Sequence, residues 1–122
     1  MHASREKVPL VAAGDGFESR MEEWGDLVVS FETVPAGTDS APLFKGLPGE
    51  SCQCPHWGYI FKGKMIVRYG DSEETITAGQ AYYMPPGHVP LFVEDTDVVE
   101  FSPRAEKEAT IEAVRKNLES DS

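Results

Sequence analysis

Between Gly49 and Pro90 no run of residues shows a helical period. Short β-type runs alternate there with glycine and proline: Trp57 to Phe61, Met65 to Tyr69, Thr75 to Thr77 and Ala81 to Met84, separated by Lys62-Gly63, Gly70-Asp71-Ser72 and Ala78-Gly79. Runs this short, joined by turns in which glycine supplies a positive φ, describe antiparallel strands. A chain so punctuated is expected to fold as an all-β sandwich or barrel. Both cysteines, Cys52 and Cys54, and the two internal histidines, His56 and His88, fall inside the same stretch.

The flanks extend the pattern and then change it. Val8 to Ala13 is apolar enough for a strand, and Pro9 confines it to an edge. Phe17 to Trp24 is polar with scattered large apolar residues and reads as irregular structure or a short strand. Leu27 to Val34 is rich in β-branched residues and reads as a strand, ended by Pro35-Ala36-Gly37. Thr38 to Gly49 is a loop rich in proline, glycine and serine. Val89 to Val93 and Val98 to Ser102 read as the last strands, with the acidic turn Glu94 to Asp97 between them. Beyond Pro103 the period becomes helical: Ile111, Val114 and Leu118 recur at i, i+3 and i+7 with Ala109 and Ala113 beside them. This predicts one amphipathic helix over about 105–118, docked through that stripe on the outside of the barrel.

With 122 residues the chain has room for one packed core, so a single domain spans 1–122. A formal charge of -10 repels phosphate backbones and anionic lipid, which argues against nucleic-acid and membrane roles. No apolar run approaches the ~20 residues of a membrane span. The first ten residues lack the apolar core of a signal peptide, so a cytoplasmic location is expected, with Cys52 and Cys54 as thiols.

The segment Gly79-Gln-Ala-Tyr-Tyr-Met-Pro85-Pro-Gly87 matches a glycine, five residues, then Pro-x-Gly, and this resembles the second motif of the cupin family. Lys62-Gly63-Lys64 resembles the glycine turn that ends the first cupin motif, and Val34-Pro-Ala-Gly37 looks like the strand end that precedes it. The resemblance covers about 27–102. More narrowly, Ser51-Cys-Gln-x-Pro55-His56-x-Gly58-Tyr59 with Pro85-Pro-Gly-His88 is similar to small single-domain bacterial cupins. It implies a cupin-type double-stranded β-helix, a jelly-roll barrel, with the ligand or metal inside, and a homodimer.

The metal motif departs from that family. The resemblance places His56 where the first motif has glutamate, Cys52 where it has its second histidine and Glu50 where it has its first. Pro90 takes the place of the last histidine, with His88 two residues early. A site remains possible, because an extended segment puts Glu50, Cys52, Cys54 and His56 on one face, with His88 on a later strand. Two histidines with Cys52 or Cys54 suit zinc; iron, nickel or manganese are alternatives, and an iron triad would need Glu50 or Glu100. The bland reading keeps Cys52 and Cys54 as small buried residues and the histidines as hydrogen-bonding groups. His56 is also the candidate general base, and Tyr82 or Tyr83 the candidate proton donor, since one of the two must face inward. Ile60, Met84, His88 and Glu100 are the candidate ligand contacts, although alternation also allows Glu100 to face solvent. The expected function is a metal-dependent enzyme of oxygenase, isomerase or lyase type acting on a small organic molecule. The alternative is a metal-free ligand-binding or sensing cupin.

Overall fold

A computed structural model of the chain describes residues 1–120. Nine strands precede one helix: β1 (Leu10–Gly14), β2 (Phe17–Trp24), β3 (Leu27–Val34), β4 (His56–Lys62), β5 (Lys64–Tyr69), β6 (Ser72–Thr77), β7 (Ala81–Met84), β8 (Val89–Phe92), β9 (Thr96–Pro103) and α1 (Arg104–Ser120). They form a six-stranded sheet in the order β1-β2-β3-β9-β4-β7 and a three-stranded sheet in the order β6-β5-β8. All pairings are antiparallel. The architecture is the cupin jelly roll that the motifs imply.

Of the two readings of Phe17 to Trp24, irregular structure or a short strand, the structure shows the strand, over all eight residues. Its polar residues satisfy the outer side of a sheet, and it pairs along its length with β3, from Glu18↔Thr33 to Trp24↔Leu27. The sheet therefore extends well before residue 27, with β1 as its exposed edge. The segment from Glu50 to His56 is not continuously extended either. A 3-10 turn at Pro48–Glu50 leaves Glu50 exposed with φ of 50°, and β4 begins only at His56.

Two clusters fill the interior. Ile60, Met65, Val67, Ile76, Tyr82, Met84 and Val98 pack between the sheets. At the other end Phe44, Cys52 and Cys54 pack with Leu43, Leu47, Val89 and Val114. The helix closes this second end, but not through the stripe read from the sequence: Ile111 and Leu118 are exposed. The inward face is Lys107, Thr110, Val114 and Asn117, at i, i+3, i+7 and i+10. Asn117 anchors it by donating from Nδ2 to the carbonyls of Leu43 and Lys45 at 2.7 and 2.9 Å. That face meets the apolar cluster through Val114 and, through Lys107 and Thr110, the thiols and carboxylates beside it.

Candidate metal centre

The site is assembled by backbone pairing across long sequence distances. Cys52 N–H donates to His88 O at 2.9 Å and Gly87 N–H to Cys52 O at 2.8 Å, so an isolated antiparallel bridge sets Cys52 beside His88. His56 enters from the start of β4, opposite Met84 on β7. The two imidazole centroids are 4.8 Å apart. One ligand atom each from Cys52, His56 and His88 lies within 4.8 Å of the others, and all three residues are buried.

Each imidazole is held through Nδ1 and turns Nε2 toward the group, that of His56 to the Cys52 thiol and that of His88 to no partner. His88 Nδ1 lies 2.7 Å from the carbonyl of Pro85, which only accepts, so Nδ1 carries the proton. His88 Nε2 is then a bare lone pair, fully buried and without a partner. His56 Nδ1 lies 2.7 Å from Ser102 Oγ, and its Nε2 lies 3.7 Å from Cys52 Sγ. Fixing one ring nitrogen to leave the other as a ligand is what the surroundings of metal-binding histidines do. Burial holds the pKa of both histidines below the ordinary value, that of His56 well below it, with Lys107 and the neighbouring histidine adding to the effect on His56. Both are therefore neutral near pH 7, the form that binds metal. Burial also raises the thiol of Cys52 and pushes that of Cys54 up to about 11, so a thiolate ligand at Cys52 needs a cation beside it.

Behind His56 stands a second polar row. Register aligns Ser30 on β3, Glu100 on β9, Gly58 on β4 and Tyr82 on β7. Tyr82 donates its hydroxyl proton to Glu100 Oε1 at 2.5 Å. That bond crosses over Gly58: a Cβ there would lie 2.5 Å from Tyr82 Cζ and 2.6 Å from its hydroxyl. Only glycine permits the ring to lie flat against the strand. Glu100 Oε2 lies 3.9 Å from His56 Nδ1, on the side of the ring away from Cys52. Burial and the adjacent Glu100 raise the Tyr82 pKa well above its ordinary value, keeping it a proton donor.

Several candidates are located differently from their sequence reading. Glu100 faces inward and is buried, so the solvent-facing alternative is excluded. Tyr83 is 49% exposed and stacks on Trp57 outside the barrel; alternation sends Tyr82 inward and Tyr83 out. Cys54 is buried but outside the three-ligand group, with its thiol directed to Pro55 O and Ser102. Glu50, on its exposed turn, is not in that group. Met84, opposite His56 by register, and Ile60 both belong to the apolar cluster.

Sequence reading missed Lys107. It is 8% exposed, and burial, which disfavours its charge, is outweighed by Glu32, Glu100 and the two cysteines, so its pKa is raised and it stays a cation. None of the ion pairs among the described residues closes on it. Nothing in a Glu/Lys-rich helix marks such a lysine in advance. Ser102 was findable, since it shares inward parity with Val98 and Glu100. Two surface concavities of about 300 and 370 Å³ lie elsewhere, and neither includes Cys52, His56, His88 or Lys107. Among the described residues no helix is long and apolar enough to cross a membrane.

The fold is one shared with solved cupin structures. An RmlC-like cupin from Shewanella frigidimarina superposes with a TM-score of 0.59 at 15% identity, over 84% of this chain and 88% of that one. KdgF from Halomonas gives 0.59 at 20% identity, over 83% and 93%. Oxalate decarboxylase from Bacillus subtilis gives 0.63 at 14% identity over 83% of this chain, which spans only 28% of that longer protein. No protein-family model matches the sequence, and no curated protein does.

Proposed function

We propose that the chain is a metal-dependent cupin enzyme acting on a small organic molecule, with a divalent ion held by Cys52, His56 and His88. The observation that carries this reading is the buried lone pair of His88 Nε2, unpaired and facing two further donors. A buried polar atom without a partner costs about 1–3 kcal/mol, and an ion would remove that cost. The donor set fits zinc best: one thiolate and two neutral imidazoles make three protein ligands and leave a position open. Iron, nickel and manganese are the weaker fits, since a buried carboxylate ligand is missing from the group.

A bound zinc ion supplies Lewis acidity without electrons. This favours isomerase or lyase chemistry over the oxygenase alternative. Tyr82 keeps its proton and points it at Glu100, so this pair is the reservoir that can pass a proton to a guest or receive one. Ser102 fixes the His56 ring. Lys107 adds a buried positive charge over the site. Glu32 and Glu100 both stabilise the Lys107 charge, so the polar cluster around the ligand group holds both signs. By its name the Bacillus neighbour decarboxylates oxalate, so this fold carries lyase chemistry on a small carboxylate in at least one protein.

The test is elemental analysis of chain purified without a polyhistidine tag or chelator, beside His88→Ala. One equivalent of metal per chain, lost in the variant while the fold is retained, supports the reading. No metal bound as purified and none taken up from added Zn²⁺ would sink it. The alternative would then stand, a metal-free ligand-binding cupin in which both histidines hydrogen-bond a guest; the incomplete four-ligand set of the family motif favours that second reading.

A further inference from the structure

Most polar side chains on the inner face of the six-stranded sheet are bonded within the protein. Ser19 donates to Glu32, Tyr82 to Glu100, and Ser102 holds His56. Two others are not so engaged. Ser30 is fully buried on β3, and its Oγ has no partner. Lys107 comes down from α1, which packs against β3 and β9, and is itself more than nine-tenths buried. Glu32, Glu100, Cys54 and Cys52 hold its charge through the field alone, with no hydrogen bond contributing.

The two groups share their surroundings. Ser30 lies opposite Glu100 by register and two residues from Glu32 on the same face of β3, and these are the two carboxylates that stabilise the Lys107 charge. That charge in turn acts on Cys52, Cys54 and His56. The ammonium therefore stands between the Ser30 row and the ligand group. Docking of the helix does not account for it: Asn117, about three turns further along α1, ties the helix to the carbonyls of Leu43 and Lys45. A lysine retained for stability alone would be expected to close on one of its glutamates, because an unpaired buried charge is costly.

We propose that Lys107 and Ser30 form the subsite for a carboxylate of the guest, which makes the substrate class a small organic acid. The inference rests on the reading above, in which a guest lies inside the barrel beside Cys52, His56 and His88. A lysine ammonium has three donors and no acceptor, and a serine hydroxyl has one donor. A carboxylate has two oxygens with about four lone pairs, so it can accept from both groups at once. Its bond to the ammonium is charge-assisted and roughly twice as strong as a neutral one.

Glu32 and Glu100 narrow the choice of guest. They already stabilise the ammonium, so a phosphate dianion placed among them would meet repulsion from two like charges. A neutral amide would fit but would forgo the charge-assisted bond. The single carboxylate is the acceptor that uses both idle donors with the least added charge. Its seat is beside the three metal-ligating side chains rather than on them, so it orients the remainder of the guest toward the open position of the ion.

Titration of isotope-labelled chain with acetate, and separately with acetamide as its neutral counterpart, tests the proposal by NMR at neutral pH and constant ionic strength. Chelated and zinc-loaded protein are compared. Saturable shifts at Ser30 and Lys107 are expected with acetate in both forms, with acetamide at least roughly tenfold weaker. Lys107→Met is expected to weaken acetate binding roughly tenfold or more, the loss that one hydrogen bond to a charged group carries, and Lys107→Arg to retain most of it. Ser30→Ala keeps the test clear of folding, because its hydroxyl has no bond to lose. Its urea midpoint should not fall, while acetate binds roughly threefold more weakly or worse. Acetamide binding as tightly as acetate, shifts confined to surface residues, or folded Lys107→Met and Ser30→Ala variants that bind acetate like the wild type would each overturn the proposal. Elemental analysis judges the metal separately. A chain without metal that still binds acetate through Lys107 and Ser30 sinks the metal and leaves the subsite; a zinc-bearing chain in which acetate shifts neither residue sinks the subsite alone.

Discussion

On β4, β7 and β9 the face turned into the barrel carries His56, Gly58, Tyr82, Glu100 and Ser102, whereas the face turned out carries Trp57, Tyr59, Tyr83, Val99 and Phe101. A strand fixes which residues share a face, and ordinarily the apolar set goes in. Here the polar set goes in at one end of the barrel. It is tolerated because the other end, around Ile60, Met65, Val67 and Val98, is packed apolar core, and because the inward polar groups are mostly bonded to one another. The difference shows where each face's work is done: the inner face converges donors on one point, and the outer face spreads apolar area over four strands.

The sharpest way to break the contrast is Glu100→Ala. The change strips Tyr82 of its acceptor and removes one of the two carboxylates, Glu32 and Glu100, that stabilise the Lys107 charge. Removing one partner from a buried charged set costs about 3–5 kcal/mol. Urea unfolding is expected to show a loss of that order, with much of it restored in the double variant Glu100→Ala/Lys107→Met. A loss below about 1 kcal/mol, the level of an ordinary surface substitution, would mean that the inner face is solvated rather than a coupled network.

Acid tests the same face more gently. His56 and His88 have folded pKa values below their ordinary value of 6.5, so the unfolded chain takes up protons first as pH falls. Their neutral burial contributes stability that is fully present above about pH 6.5 and is lost below it, by up to about 1.4 kcal/mol per pH unit for each histidine. Chelated protein is expected to lose stability between about pH 6.5 and 5, before most carboxylates titrate. His88→Gln should flatten that slope by about half. An unchanged slope in the variant would show that His88 is not held neutral.

Turn chemistry made most of the fold legible. Glycine and proline punctuation placed β3 and β7 at their observed bounds and the other strands of the barrel within two or three residues, and the Gly-x5-Pro-x-Gly spacing carried the architecture. Phe17 to Trp24 was obscured because a strand whose outer side is polar and whose inner side is half buried has little alternation to display. The site was legible in membership but not in orientation. Period-2 parity grouped His56 with Cys52 and separated Tyr82 from Tyr83. It could not say that Pro48–Glu50 turns, nor that Glu100 points in. Gly58, in mid-strand, was the one signal of a close approach there, and it marks the Tyr82–Glu100 crossing. Lys107 was invisible for a plain reason: its burial follows from the polar cluster beneath α1, so helical periodicity alone pointed to the Ile111–Leu118 stripe.

The smallest expected effect belongs to the outer face, and it tests whether that face is surface in the single chain. Tyr83 sits on the edge strand β7 and contributes a stack with Trp57 over a half-exposed ring. An exposed aromatic pair is worth about 0.5–1.5 kcal/mol beyond its area, and its hydroxyl has no buried partner to orphan. Tyr83→Ser, unfolded by urea in dilute protein, should therefore lose no more than about 1.5 kcal/mol. A large loss in the dilute variant would place Tyr83 in the core, and the contrast between the two faces would dissolve.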